Sequence, residues 1–379
     1  MKNSHHIDSI RGMLAIIVVF QHASTAFIYS RYGFSIGLNT YLGLFSHLSV
    51  FFFFVLSGYV ISMSISENKR RNGDFNVMDY VTSRIARIYP PLLAVFIITS
   101  AMSISLFYYE ANEVKGNYTH PIVKIFNPDF YAQLLSVLTV TVRGSLGGGR
   151  EGVNLALWSL EYEIQLYVIA CLMAVIFSGK SNIIKLICII LLAVYVKKIG
   201  FNFSLNRQSV PFICFFIGFA SFHLRKKIRG NAWLVLASII FTILSIGLIC
   251  EWTDVFGRLR SHIVTPGMWM FYKIPLSFFF ATIIVFSDKV KYITYPFRAL
   301  SSFSYSIYIL HCPVIVFAFF VMDNFFPFAL ESAYTTTLAT VFLCIILSFA
   351  LSLITEKPRF YKALIERLIM VISLKRERA

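Results

Sequence analysis

The chain has 379 residues, of which 58% are hydrophobic and only 14% are charged, and its mean hydropathy is +0.73. This composition excludes a soluble globular domain and is typical of a protein that crosses a membrane several times. The net charge of +16 at pH 7 does not indicate nucleic-acid binding. Most of the lysines and arginines flank apolar segments, where such residues fix orientation and contact anionic headgroups.

A membrane-spanning helix needs about 20 mainly apolar residues. By this rule the sequence predicts an all-α membrane protein, a polytopic bundle of about ten transmembrane helices. The predicted spans lie near residues 7–29, 44–65, 88–108, 156–178, 183–199, 209–224, 232–250, 270–287, 301–321 and 333–355. The apolar segment 130–142 is too short to cross, and we expect it to lie at the interface or to re-enter the membrane.

Positive charge sets the predicted orientation. With a cytoplasmic N-terminus, the inner segments carry about twice as many lysines and arginines as the outer ones, so the positive-inside rule predicts that both termini are cytoplasmic. The even number of spans agrees. The predicted organisation is a ten-span core over 1–356 and a basic cytoplasmic tail over 357–379, with a long external loop over 109–155.

The six cysteines lie in or beside apolar segments, and none forms a Cys-x-x-Cys pair. We interpret them as small buried hydrophobic residues and expect neither a disulfide framework nor a metal site. They are Cys171, Cys188, Cys214, Cys250, Cys312 and Cys344.

The first span carries two ionisable residues, Arg11 and His22, which are eleven positions apart. Eleven steps of about 100° make roughly three helical turns, so both side chains share one face and are about 16 Å apart along the axis. Ionisable groups are costly inside a bilayer and mark binding or proton-handling sites. His22 is therefore a candidate general base toward a hydroxyl. A structural histidine that hydrogen-bonds a neighbouring helix is the alternative.

Glu163 lies in the fourth predicted span, at the same estimated depth as His22 in the outer half of the membrane. A buried carboxylate needs a partner, and a carboxylate beside His22 would orient the imidazole and stabilise the imidazolium. Tyr167 lies one turn further in on the same face, whereas Glu161 points elsewhere and is expected at the rim. The alternative is a salt bridge that only joins two helices.

Arg84 and Arg87 lie at the inner entry of the third predicted span, three positions apart and on a shared face. Together with Arg11 at the same leaflet, these guanidiniums could bind phosphate oxygens bidentately. Anchoring of the span ends by positive charge is the alternative. Pro90 and Pro91 suit the first turn of a helix, where a missing N–H matters little.

Small and polar residues of spans two, four and nine suggest a substrate cavity. Ser57 and Gly58 would let another helix or an extended ligand approach closely. His311 precedes Pro313 at mid-membrane, where a kink would free backbone carbonyls, and it is equally open to a structural role. The residues assigned to the cavity are Ser57, Gly58, Tyr59, Trp158, Tyr167, Tyr305 and His311.

Six segments carry these residues, in the order IDSIRGMLAIIVVFQH, FFFFVLSGY, RIARIYP, WSLEYEIQLY, FSYSIYILHCPV and EKP. Together and in this order, over nearly the whole chain, they resemble the acyltransferase-3 family of bacterial integral membrane acyltransferases. In the terms of that family, Arg11 and His22 match the signature pair. Arg84 and Arg87 match the arginine pair, and Glu163 matches the glutamate after the Trp-Ser-Leu run.

The resemblance implies a ten-span core that takes an acyl group, usually acetyl, from cytoplasmic acyl-CoA and delivers it to a hydroxyl. The acceptor is often a surface sugar polymer or a lipid-linked precursor. The sequence departs from the family pattern at Leu166, where an aromatic is usual, and at Cys312, where the family often has tryptophan. We interpret both departures as packing changes.

The resulting hypothesis is a bacterial inner-membrane, multi-pass acyltransferase that uses acetyl-CoA as donor and no metal. Its partners would be a carbohydrate or lipid-linked glycan acceptor and membrane lipids, with no nucleic acid. His22, supported by Glu163, would deprotonate the acceptor hydroxyl, either in direct transfer or in a relay through an acyl-histidine or, as a weaker candidate, acyl-Ser57. A proton-coupled transporter or flippase of a lipid-linked or anionic substrate is one alternative, and a membrane scaffold is another.

Overall fold

The computed structural model describes residues 4–29, 38–113, 157–198, 209–244, 273–289, 291–327 and 332–377. Within these ranges the chain is helical apart from short turns, and none of these residues forms a strand, which confirms the all-α prediction. The longer helices are α1 (Ser4–Ser24), α2 (Leu38–Asn72), α3 (Val77–Glu113), α4 (Leu157–Ile176), α5 (Asn182–Lys198), α6 (Ser209–Gly230), α7 (Ala232–Leu244), α8 (Lys273–Val285), α9 (Ser304–Phe325), α10 (Ala333–Thr355) and α11 (Pro358–Glu377).

Six helical segments of the described residues are long and apolar enough to cross a membrane. A seventh candidate is the pair of α6 and α7, which are bent by 113° from one another. The predicted fifth and eighth spans correspond to α5, with 17 residues, and α8, with 13. The count of ten spans and the cytoplasmic termini stay predictions, and the segment 130–142 lies outside the described residues.

Helix α3 begins well before the predicted span. It starts at Val77, where the Oδ1 of Asn76 accepts the backbone N–H of Asp79 at 3.0 Å and caps the first turn. Pro90 and Pro91 therefore lie inside the helix, and the prediction that they occupy its first turn is wrong. Since proline has no N–H, the carbonyls four residues earlier lose their helical partners at this point.

One compact unit contains the described residues of 1–18, 35–75 and 162–301. In this unit α2 packs along α6, and α8 packs against both helices. Between α2 and α8, the rings of Phe52 and Phe280 are stacked with their centroids 4.2 Å apart.

Helices α2 and α6 come into backbone contact at two glycines. A methyl group at Gly58 would overlap the carbonyl oxygen of Phe215, and one at Gly218 would overlap the carbonyl oxygen of Val55. Membrane helices associate through close packing of this kind, because burial from lipid supplies no hydrophobic driving force. The two glycines therefore fix where α2 and α6 touch, one residue away from Ser57 in the sequence.

A second compact unit contains the described residues of 19–34, 76–161 and 302–379. Here α9 packs against α10 and α3, and the π-helical turn after α1 packs against α9 and α10. The residues predicted to form a basic tail fold as α11, which packs on α3. An ion pair between Lys362 and Asp79 joins these two helices.

Candidate active site

The first helix has the regular form that the sequence predicts. Arg11 and His22 both lie on α1. Directly after it, residues Thr25–Tyr29 form a π-helical turn. The amide of Gln21 donates to the Thr25 hydroxyl at 2.8 Å, and that hydroxyl donates to the Gln21 carbonyl at 3.0 Å. Such turns are frequent at functional sites, and this one follows His22 by three residues.

His22 packs against a second histidine. Its ring centroid lies 5.2 Å from that of His311, with the ring planes inclined by 39°. His22 is half-buried, whereas His311 is fully buried on α9. The structure thus brings together two of the residues that the sequence singles out, a candidate base and a candidate cavity residue.

The hydrogen bonds of His311 define its tautomer. Its Nδ1 lies 2.7 Å from the carbonyl oxygen of Tyr308 and 3.2 Å from that of Ile307. Carbonyl oxygens only accept, so Nδ1 carries the proton and Nε2 carries the lone pair. Nε2 lies 3.2 Å from the sulfur of Cys312. The nitrogen and sulfur donor atoms of His22, His311 and Cys312 all lie within 4.8 Å of one another.

Two tyrosines of α9 tie the His311 region to other helices. The hydroxyls of Tyr308 and Ser159 are 2.5 Å apart, which joins α9 to the start of α4. The Tyr305 hydroxyl donates to the carbonyl oxygen of Ile88 at 3.3 Å, close to the paired prolines of α3. These hydrogen bonds attach the part of α9 just before His311 to α4 and α3.

In the first compact unit, Glu163 accepts hydrogen bonds from two hydroxyl groups. The Tyr167 hydroxyl donates to its Oε1, and the Ser57 hydroxyl lies 3.4 Å from the same oxygen. Tyr167 is one turn along α4, as predicted, while Ser57 lies on α2. A carboxylate that accepts hydroxyl protons in this way can orient a serine, a tyrosine or an acceptor alcohol.

Glu161 does not lie at the rim, and that expectation is wrong. The residue is only 4% exposed, and Gln165, one turn along α4, is 5% exposed. Apolar residues occur around the whole circumference of this helix, so their periodicity does not distinguish a face that contacts protein from one that contacts lipid. Glu161 and Gln165 therefore form a buried polar strip on α4, beside the half-buried Glu163.

The three predicted phosphate ligands are distributed over the two units. Arg11 belongs to the first unit, and its guanidinium pairs with Asp8 at 3.2 Å with 16% of the side chain exposed. Arg84 and Arg87 belong to the second unit and are half-buried on α3. The guanidinium of Arg84 lies 5.4 Å from the centroid of the Tyr80 ring.

The remaining predicted cavity residues have mixed surroundings. The space beside Gly58 is occupied by the α6 backbone, which is the helix contact that the sequence allows as an alternative to a ligand. Tyr59 is buried, and its ring meets that of Phe222 edge to face at 5.4 Å. Trp158 is half-buried at the start of α4.

Cys312 is the neighbour of His22 that sequence reasoning missed. In the sequence, Cys312 looks like an ordinary apolar residue of a hydrophobic helix. The local pattern contains no signal that it lies near His22, which is almost three hundred residues earlier. One signal was present, since Cys312 directly follows His311 and stands where the resemblance leads one to expect tryptophan.

Comparison with known proteins gives the chain its family. The model of the acyltransferase-3 family, described as an acyltransferase domain, matches residues 4–357. An uncharacterized protein of Haemophilus influenzae is 29% identical over 145 residues, which cover 38% of this chain and 55% of that relative. The chain thus spans about half the length of this curated relative. No solved structure matches the chain. Since the family model extends over nearly the whole sequence and includes all the candidate site residues, the chain belongs to the acyltransferase-3 family.

Proposed function

We propose that this protein is a bacterial inner-membrane acyltransferase that moves an acetyl group from cytoplasmic acetyl-CoA to a hydroxyl of a surface polysaccharide or a lipid-linked sugar. Family membership and the apolar helices support the general class. The choice of acetyl-CoA and of a glycan acceptor rests on the sequence resemblance.

The contact between His22 and His311 carries this proposal. A general base must hold a defined orientation to take a proton from a weak acid such as an alcohol. The ring of His22 packs on a buried imidazole whose tautomer is set by the Tyr308 carbonyl. A ring nitrogen of His22 and one of His311 lie within 4.8 Å of one another, so the buried imidazole limits the orientations that His22 can adopt.

The proposed reaction is proton abstraction coupled to acyl transfer. His22 takes the proton of the acceptor hydroxyl, and the oxygen forms a bond to the thioester carbonyl carbon. The carbon–sulfur bond then breaks, His22 returns the proton to the CoA sulfur, and CoA leaves as the free thiol. In a relay variant, the hydroxyl of Ser57 is acylated first and the acceptor then attacks the Ser57 ester. The hydrogen bond from the Ser57 hydroxyl to the Glu163 carboxylate supports this relay.

The arginines would hold the donor. Arg11, Arg84 and Arg87 are proposed to bind the phosphates of CoA at the cytoplasmic face, since guanidinium groups match phosphate oxygens bidentately. The pantetheine arm would then extend toward His22, over about 16 Å along α1. In this proposal Glu163 assists acyl transfer by orienting the hydroxyl groups of Ser57 and Tyr167.

Mass spectrometry of surface glycans tests the proposed function. Polysaccharide and lipid-linked glycans are compared from cells with the gene, cells without it, and cells that carry His22→Ala. The proposal predicts that acetyl mass is lost in the latter two strains. The matched control is His223→Ala, an exposed histidine of α6 that hydrogen-bonds Ser62 at 2.9 Å, and it should keep the acetyl mass. Unchanged acetylation without the gene would overturn the proposal.

A transporter or flippase would behave differently in the same strains. Without the gene, the whole glycan or its precursor would fail to reach the surface, whereas an acetyltransferase defect removes only the acetyl groups. Analysis of total surface glycan beside its acetyl content therefore separates these two classes.

A further inference from the structure

We infer that His22, His311 and Cys312 form a binding site for a soft monovalent metal ion, copper(I), in the membrane-spanning part of the protein. This site lies beyond the proposed acyl transfer, and it revises the interpretation of Cys312 as a simple packing residue. The binding itself does not depend on the proposed function.

The donor geometry is the first argument. Donor atoms about 2.0–2.3 Å from a metal ion lie about 3.5 Å from one another. The Nε2 of His311 and the Sγ of Cys312 are already 3.2 Å apart, and the donors of all three residues lie within 4.8 Å. Small side-chain rotations would therefore bring three ligands to one ion.

The second argument is the orientation of His311. A histidine that binds a metal ion donates its other ring N–H to a carbonyl or carboxylate, which fixes the tautomer and directs the lone pair to the ion. His311 has this arrangement, because Nδ1 donates to the Tyr308 carbonyl at 2.7 Å while Nε2 faces Cys312. The side chain is fully buried, so this orientation is held by the packed interior.

The net charge of the three ligands favours a monovalent ion. Two neutral imidazoles and one thiolate carry a single negative charge, so a monovalent ion gives a neutral site, whereas a divalent ion would leave a net positive charge among apolar helices. Thiolate and imidazole are also the ligands that suit copper(I). On binding, bonds form from copper to one sulfur and two nitrogens, the S–H bond of Cys312 breaks, and its proton leaves to solvent. No electron is transferred.

The site has a consequence for the proposed function. A nitrogen of His22 that binds copper cannot take a proton from an acceptor hydroxyl. Copper(I) should therefore inhibit acyl transfer reversibly, and a chelator should restore it. This consequence rests on the proposed role of His22, whereas metal binding can be measured without any acyl donor.

The test is anaerobic titration of the purified full-length protein in detergent with copper(I), in competition with the chelator bicinchoninate. We expect one high-affinity copper(I) per chain and an X-ray absorption spectrum with one sulfur and two nitrogen ligands. Cys312→Ser and His22→Ala should each weaken binding at least about tenfold, since even outer partners of metal ligands are worth 10–100-fold. Cys312→Ala serves if the serine variant does not fold.

The matched control is Cys344→Ser. Cys344 is also buried, and its sulfur lies 3.9 Å from the carbonyl oxygen of His311, but it is not one of the three ligands. This variant should bind like wild type. Equal binding by wild type and Cys312→Ser, an equal loss in Cys344→Ser, or a spectrum without nitrogen ligands would overturn the site. Copper binding in a protein that transfers no acyl group would instead refute only the proposed function.

Discussion

The rings of His22 and His311 lie with their centroids 5.2 Å apart, so the imidazole near the end of α1 packs on one in the middle of α9. His311 cannot reorient without giving up its bonds to the backbone of its own helix. It is therefore the positioning residue for His22 in the proposed mechanism.

His311→Ala should lower kcat for acyl transfer about tenfold or more while leaving the KM for acetyl-CoA unchanged. The substitution removes the group that orients the base and leaves donor binding intact. Steady-state kinetics in membrane vesicles give both parameters. If kcat stayed at the wild-type value, or if KM rose and kcat did not fall, His311 would have no positioning role.

Arg84→Ala should raise the apparent KM for acetyl-CoA more than the KM for the acceptor, because a guanidinium that binds CoA phosphates acts on the donor alone. Arg70→Ala is the matched control, since Arg70 is exposed and pairs with Glu67 at 2.6 Å. It should change neither constant. Equal increases for donor and acceptor in Arg84→Ala would point to a role in folding.

Gly58→Ala and Gly218→Ala should each destabilise the fold by about 1–3 kcal/mol, because each methyl group would force the α2 and α6 backbones apart. Thermal unfolding of the detergent-solubilised protein measures the loss. Gly230→Ala is the control, as a methyl group there meets no atom within 4 Å. Similar unfolding temperatures for all three variants would show that α2 and α6 do not need this contact.

Asp74 lies in the turn between α2 and α3, outside the spans. The backbone N–H groups of Phe75 and Gly179 lower the pKa of its carboxyl below the ordinary value of 3.8. Because the folded pKa is the lower one, this stabilisation is complete above the unfolded pKa and is lost as the pH falls through the folded value.

Thermal unfolding measured from about pH 6 to pH 3 should therefore show a smaller loss of stability in Asp74→Asn than in wild type. The substitution keeps an acceptor oxygen but removes the titrating charge. Asp74→Asn should also be the less stable of the two proteins near neutral pH. Identical pH dependence in both proteins would show that Asp74 does not link this turn to folding.

Much of the fold follows from the sequence, because hydropathy reports directly on spans of sufficient length. The all-α class is confirmed, and Arg11 and His22 lie on one α-helix as predicted, although a π-helical turn replaces the α-helix over Thr25–Tyr29. The start of α3 was missed, because the hydropathy rule begins a span where the charged residues end. The cap at Asn76 instead starts a helix that includes the charged residues preceding the predicted span.

The candidate site could be predicted only in part. The contact of Tyr167 with Glu163 follows from helical spacing along one element, and the structure contains it. The packing of His22 on His311 and Cys312 joins positions almost three hundred residues apart, and no local period reports on such contacts. Burial of Glu161 escaped for a related reason, because lipid and protein favour the same apolar residues on a membrane helix.

The most direct test of the central claim is transfer of radiolabelled acetyl from acetyl-CoA into the glycan fraction of membrane vesicles that contain either His22→Ala or His223→Ala. Loss of a general base costs about 100-fold or more, so we predict that His22→Ala falls by at least this factor at equal protein content, while His223→Ala transfers acetyl at the wild-type rate. Wild-type transfer by His22→Ala would contradict the account.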